Sequence, residues 1–272
     1  MATGFACETV FSKPPGISYF CGMYSLKKSL GQHFLRDENI CRKIVSALQA
    51  HPFSHLLEVG PGGGALTKYL IDLPAVEFRA VELDHEKVEY LLSVYPSLQN
   101  RIIEGSILDV PVPFKTSFTV VGNFPYNIST QILFRILEWK EQVEVVVGMF
   151  QKEVAQRVAA PPGNKVYGVM SVLVQAFFEV EYLFDVHEGS FNPPPKVKSG
   201  VIRMLPAKNV PPMETEKKFF LLVKTAFNQR RKTLRNAVKG LFDPATLNEP
   251  IFSQRAEQLS VDDFAALTFR MK

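Results

Sequence analysis

The stretch Leu56-Leu57-Glu58-Val59-Gly60-Pro61-Gly62-Gly63-Gly64-Ala65 decides the fold. A short apolar strand over 56–59 runs into a glycine loop, and helical spacing resumes over 65–71. Glycines are needed where a turn is tight and a ligand comes close to the backbone. Strand, glycine loop and helix in that order build the corner of an open α/β sheet that receives a nucleotide-type ligand.

Working outward, the same alternation continues. The patterns predict strands over 76–83, 102–104, 118–122 and 143–150, with helices over 85–95 and 130–138 between them. Upstream, Ile40, Ile44, Val45 and Leu48 have helical spacing, with Asp37 placed as an N-cap. Strands and helices joined by short connections signify a doubly wound parallel sheet, an α/β fold of the Rossmann-like class. Helices are expected over 151–159 and 168–178, and final strands over 182–186 and 197–205 form a hairpin spanning Pro193-Pro194-Pro195. The segment 206–212 contains three prolines and reads as a linker to a small helical module over 214–239 and 262–270. Residues 1–24 show no periodicity and are expected to be a flexible extension, with Met23 as a candidate natural start.

Composition narrows the class. Of 272 residues 46% are apolar, enough for a substantial core, yet no run approaches the roughly 18 apolar residues that cross a bilayer. Lys13 and two prolines precede no sustained apolar stretch, so no signal peptide is expected. The cysteines (Cys7, Cys21, Cys41) are odd in number and lack C-x-x-C spacing, which argues against disulfides and metal and for a reducing, cytoplasmic setting. Net charge is only +4 but unevenly spread. Lys217, Lys218, Lys224, Arg230, Arg231, Lys232, Arg235 and Lys239 crowd one segment, and Lys27, Lys28, Arg36, Arg42 and Lys43 form a second cluster. Such clusters are the electrostatic footprint of a phosphate backbone.

The glycine loop by itself admits two cofactors. Gly60, Gly62 and Ala65 satisfy the dinucleotide fingerprint G-x-G-x-x-G/A, while Gly60, Gly62 and Gly64 satisfy the G-x-G-x-G loop of S-adenosylmethionine enzymes. Glu82, 22 residues past Gly60, would accept from ribose hydroxyls in either case. Glu58, directly before the loop, is typical of methyltransferases. After the fourth strand comes Asn123-Phe124-Pro125-Tyr126. Its amide and backbone carbonyls can accept from an exocyclic amine, its proline fixes their direction, and its tyrosine offers a face to a flipped base.

Six blocks together resemble one family, the KsgA-type small-subunit (16S) rRNA adenine N6,N6-dimethyltransferases. They are Ser29-Leu30-Gly31-Gln32-His33-Phe34-Leu35, the glycine loop, Gly122-Asn123-Phe124-Pro125-Tyr126-Asn127-Ile128-Ser129, Gln151-Lys152-Glu153-Val154, Phe191-Asn192-Pro193-Pro194-Pro195-Lys196-Val197, and Ala226-Phe227-Asn228-Gln229-Arg230-Arg231-Lys232-Thr233-Leu234-Arg235. The resemblance implies a class I S-adenosylmethionine-dependent methyltransferase domain over 25–205 and a helical rRNA-binding domain over 206–272. It implies a monomer that dimethylates two adjacent adenosines near the 3′ end of small-subunit rRNA within a pre-ribosomal particle.

Carried over by position, the cofactor contacts fall on His33, Leu35, Glu58, Gly60, Gly62, Glu82, Ser106 and Asn123. Two depart from the family pattern: His33 stands where asparagine is common, and Ser106 where aspartate is common. The catalytic group is Asn123, Phe124, Pro125 and Tyr126, with Phe191 covering the second face of the target base. Arg230, Arg231, Lys232 and Arg235 would hold rRNA phosphates along one helix side. Three other readings stay open on the residues alone: an enzyme for a different adenine in large-subunit rRNA, a nicotinamide oxidoreductase, and a ribosome-assembly factor without chemistry.

Overall fold

The computed structural model describes residues 33–229 and 231–272. The expected extension over 1–24, the start at Met23, the block from Ser29 to Gln32, the cluster residues Lys27 and Lys28, and Arg230 lie outside them. The first half of the chain runs β1 (Phe34–Leu35), α1 (Glu38–Gln49), β2 (His55–Val59), α2 (Thr67–Leu70), β3 (Glu77–Glu82), α3 (His85–Val94), β4 (Ile102–Glu104), β5 (Phe118–Asn123) and α4 (Ser129–Glu138). The second half runs β6 (Val143–Gln151), α5 (Lys152–Ala159), α6 (Val169–Gln175), β7 (Phe178–Val186), β8 (Phe191–Asn192), β9 (Ser199–Pro206), α7 (Glu216–Phe227), α8 (Leu234–Ala237) and α9 (Val261–Thr268).

One sheet orders its strands β4-β3-β2-β5-β6-β9-β7. From β4 to β6 every pairing is parallel, and the expected hairpin of β7 and β9 adds two antiparallel strands beyond β6. Alternate side chains sort onto two faces. Leu57, Val59, Val120, Val146 and Phe150 meet α4 and α6 on one face, while Leu56, Phe78, Val121, Val147 and Met149 meet α1 and α3 on the other. Burial on both faces explains why β5 and β6 read as continuous apolar runs. At the start of α1, Asp37 Oδ1 accepts from the backbone of Asn39 at 3.0 Å and Ile40 at 3.3 Å, the N-cap its sequence position predicts.

Three expectations need correction. The helix expected over 65–71 shrinks to Thr67–Leu70, because the glycine loop takes up its first turn. The helix expected over 168–178 stops at Gln175, and Phe178 already pairs with Pro206 in the hairpin, so the sheet ladder overrides helical propensity. The basic segment over 214–239 is two helices rather than one. Thr233 is extended, the Leu234 amide donates to the Gln254 carbonyl at 2.7 Å, and Leu234 and Val238 are fully buried. Docking those two apolar side chains redirects the chain after α7. The buried residues Phe219, Leu222 and Val223 of α7 join the same core as α6, so the C-terminal helices and the sheet share apolar contacts.

The pairing of β1 with β8 has no counterpart in the sequence patterns. Phe34 lies opposite Asn192 and Leu35 opposite Phe191, which straps the segment carrying His33 beside the proline loop.

Candidate active site

Strand β2 pairs with β3 on one side and β5 on the other, so the crossovers diverge there and leave a crevice beyond their carboxyl ends. A cavity occupies that crevice, lined by the glycine loop, the ends of β3 and β5, and the β1 strap.

The loop is shaped by its glycines. Gly60, Gly62 and Gly64 have φ of +68°, +56° and +78°, conformations that side-chain-bearing residues rarely adopt. Their spacing is that of the G-x-G-x-G pattern. The Gly60 amide donates to the Val81 carbonyl at 2.9 Å and the Gly64 amide to the Pro61 carbonyl at 2.8 Å.

Two buried glutamates hold this corner. Glu82 accepts from the Gly62 amide through Oε2 and from the Asp84 amide through Oε1, both at 3.0 Å. It thereby clamps the loop to the turn after β3 and keeps further lone pairs for a ligand hydroxyl. Glu58 accepts the Thr67 hydroxyl at 2.7 Å, tying the strand to α2 across the loop. Burial pushes the Glu58 carboxyl up to about 8; the Thr67 hydrogen bond opposes this and the nearby Glu82 charge reinforces it.

Over the loop lies the strap. Phe34 packs so close to Gly62 that a Cβ there would sit 3.3 Å from its ring, and the Lys87 ammonium lies 4.7 Å from the ring centroid. His33 Nδ1 is 3.0 Å from the Pro193 carbonyl, which can only accept, so Nδ1 carries a proton. The His33 carbonyl in turn accepts from Asn123 Nδ2 at 3.0 Å. Leu35 is buried and lines the cavity.

The Asn123-Phe124-Pro125-Tyr126 turn closes the crevice opposite the glycine loop. The Phe124 amide donates to the Met149 carbonyl at 3.1 Å and prolongs the sheet by one residue. Its ring is buried edge-on against Phe150 at 4.9 Å, over Gly148, where a Cβ would meet it at 2.4 Å. Phe124 thus offers the cavity its backbone, with the ring as anchor. The Tyr126 ring lies 5.7 Å from the His33 ring, and its hydroxyl is hydrogen-bonded to Ser199 Oγ at 2.5 Å. Ser106 Oγ accepts from the Leu108 amide at 3.2 Å at the far end of the cavity.

All eight residues expected at the cofactor, and the four of the catalytic turn, line this one cavity. Leu83 and Ile107 also line it and were missed. Their only signal was adjacency: each directly follows a named residue, Glu82 or Ser106. Phe191 is not brought in. It is 3% exposed, paired with Leu35 in the β1–β8 ribbon and packed in the core behind it. The basic group is also dispersed: Arg231 and Lys232 are exposed in the turn between α7 and α8, and Arg235 on α8 donates through Nε to the Leu247 carbonyl at 2.7 Å. Among the described residues no cluster of three metal-ligating side chains occurs, and no helix is long and apolar enough to cross a membrane.

The chain is similar to known proteins along most of its length. The profile of the family described as Ribosomal RNA adenine dimethylase matches residues 23–270. A Ribosomal RNA small subunit methyltransferase A from Cytophaga hutchinsonii is 51% identical over 246 residues, covering 89% of this chain and 95% of its own. A protein of the same description from Flavobacterium johnsoniae is 50% identical, covering 90% and 95%. Among solved structures, a dimethyladenosine transferase from Plasmodium falciparum superposes with a TM-score of 0.70 at 25% identity over 85% of this chain and 94% of its own. The 23S rRNA methyltransferase ErmE superposes with a TM-score of 0.64 at 22% identity over 86% and 99%, a likeness of fold.

Proposed function

The chain belongs to the ribosomal RNA adenine dimethylase family, and from that membership we propose that it dimethylates the N6 amines of two adjacent adenosines near the 3′ end of small-subunit rRNA. It is an S-adenosylmethionine-dependent rRNA methyltransferase with a class I α/β fold. The substrate is the rRNA of a maturing small ribosomal subunit in the cytoplasm, and the protein acts as a monomer, its helical region over 206–272 contacting rRNA.

The residues present fit the cofactor. Glycine backbone at positive φ admits close approach, Glu82 keeps lone pairs for ribose hydroxyls, and Leu83 and Ile107 provide apolar walls for a purine. When bound, S-adenosylmethionine supplies an electrophilic methyl group on a sulfonium. Ser106 and Asn123 would help hold the cofactor from the cavity wall, and Glu58 ties the loop through Thr67.

A single observation carries the catalytic reading: the Asn123 amide is held by the His33 carbonyl through its NH2 group. Oδ1 is then the acceptor left over, beside the Phe124 carbonyl. Together they accept from the N6 amine of adenine, favour a pyramidal nitrogen and aim its lone pair. Positioning by fixed dipoles, in place of a strong base, supplies most of the acceleration. Tyr126, its hydroxyl fixed by Ser199, gives the flipped adenine a stacking face. Phe191, buried in its ribbon, holds the strap from behind and leaves the second face of the adenine to other residues. Arg230, Arg231, Lys232 and Arg235 lie on the segment that approaches rRNA phosphates.

The test is methyl transfer from labelled S-adenosylmethionine to unmethylated small subunits, with large subunits and naked rRNA beside them. N6,N6-dimethyladenosine formed on small subunits alone is the expected result. Transfer to large subunits, or tight particle binding with no transfer, would overturn the reading.

A further inference from the structure

The proline loop between β8 and β9 is bonded to two residues that line the candidate active site. It is tied to the site at both ends. His33 Nδ1 bonds the Pro193 carbonyl at 3.0 Å, and Ser199 Oγ bonds the Tyr126 hydroxyl at 2.5 Å, where His33 and Tyr126 both line the cavity. The Lys152 amide donates to the Lys198 carbonyl at 2.9 Å and fixes the loop from beneath. Between these ties Pro195 is buried while Lys196, Val197 and Lys198 are exposed. Val197 is 42% exposed, an apolar side chain held in water between two cations in a loop bonded to two residues of the cavity wall.

Asp185 lies near Lys198, and it is occupied by Lys152 at 2.5 Å and by the Tyr182 hydroxyl. Lys198 lies close enough to help hold the Asp185 carboxyl below its usual range, after the Lys152 and Tyr182 hydrogen bonds. Lys196 makes no ion pair among the described residues.

An enzyme that reacts with a base must draw it out of the stack, leaving a gap and a distorted backbone. Apolar side chains inserted at such gaps, with cations on the flanking phosphates, are a recurrent solution in nucleic-acid binding. We propose that Lys196, Val197 and Lys198 form a second RNA contact, in which the lysines hold phosphates flanking the target adenosine and Val197 packs against the base beside the vacated position. This rests on the rRNA reading above and adds a specificity element close to the chemistry, apart from the basic segment after α7.

The experiment compares Lys196→Ala with Lys198→Ala combined, Val197→Ser and Val197→Leu. Filter binding of unmethylated small subunits is followed through a salt series, with methyl-transfer kinetics and cofactor calorimetry alongside. The double lysine variant should raise KM for the particle and flatten the slope of log affinity against log salt by about one for each lysine lost. Val197→Ser should lower kcat about tenfold, on the scale of a lost apolar or stacking contact, while Val197→Leu keeps the rate. Cofactor affinity should be unchanged in all three. An unaltered salt slope with a normal rate in Val197→Ser would overturn the proposal, as would a parallel loss of cofactor binding. Binding reads the lysine arm even if the unmutated protein transfers no methyl group, so this failure and that of the parent reading are distinguishable.

Discussion

Asn123 Nδ2 donates to the backbone carbonyl of His33 at 3.0 Å, joining positions 90 residues apart in sequence. The carbonyl has no proton to offer, so the amide can present only its NH2 group to it. The consequence is chemical: the oxygen of Asn123 is aimed by a strap that is itself pinned to β8 and to Pro193. The His33 strap and the Asn123 amide are one mechanical unit.

Ser106 offers a neutral hydroxyl where the family resemblance leads one to expect a carboxylate, and its Oγ already accepts from the Leu108 amide at 3.2 Å. An aspartate can accept from that amide with one oxygen and receive a purine amine with the other. Ser106→Asp should therefore tighten cofactor binding by about 1 kcal/mol, the difference between a neutral and a charge-assisted hydrogen bond. Calorimetric titration with S-adenosylmethionine checks this, and unchanged affinity refutes it.

Glu58 holds its proton to about pH 8 in the folded protein, against 4.5 ordinarily. The folded state thus binds more protons than the unfolded chain between these values, and stability falls as pH rises through that window. The contribution is complete below about 4.5 and gone above about 8. Glu58→Gln keeps an acceptor for Thr67 but cannot ionise. Urea melts at pH values on either side of the window should show the unmutated protein losing a few kcal/mol relative to this variant on going alkaline. Parallel pH profiles would show that Glu58 ionises freely where it sits.

Gly148 lies beneath the Asn123-Phe124-Pro125-Tyr126 turn, where a Cβ would come within 2.4 Å of the Phe124 ring and 2.7 Å of Phe150. Gly148→Ala should cost about 1–3 kcal/mol by overpacking. It should depress methyl transfer more than cofactor affinity, because Phe124 anchors the turn and not the glycine loop. Equal losses in both would place the strain elsewhere.

Arg231 and Lys232 are exposed and lie away from the cavity. Replacing both by alanine should weaken particle binding at low salt and reduce its salt dependence, with cofactor affinity unchanged. Filter binding across a salt series reads the first effect and calorimetry the second.

Much of this architecture was legible locally. The glycine loop, the alternating elements and the Asp37 cap are short-range patterns, and each lies where its spacing places it. What was hidden depends on contacts distant in sequence. The β1–β8 ribbon is two residues per strand, too short for any periodicity, and it sets Phe191 into the core. The break between α7 and α8 follows from a hydrogen bond to Gln254 and the burial of Leu234, neither visible in a run whose charges read as one helix face. Leu83 and Ile107 carry no polar chemistry, and only the closing of the sheet makes walls of them.

The most direct measurement is methyl transfer to unmethylated small subunits by Asn123→Asp, with cofactor binding measured on the same sample. A carboxylate cannot donate to the His33 carbonyl, so the Asn123 oxygen loses its orientation while the strap keeps its ties to β8 and Pro193. N6,N6-dimethyladenosine formation should fall by about 10²-fold or more, the scale of one lost positioning donor or acceptor, with cofactor affinity reduced far less. Dimethylation at the unmutated rate would contradict the role given to Asn123.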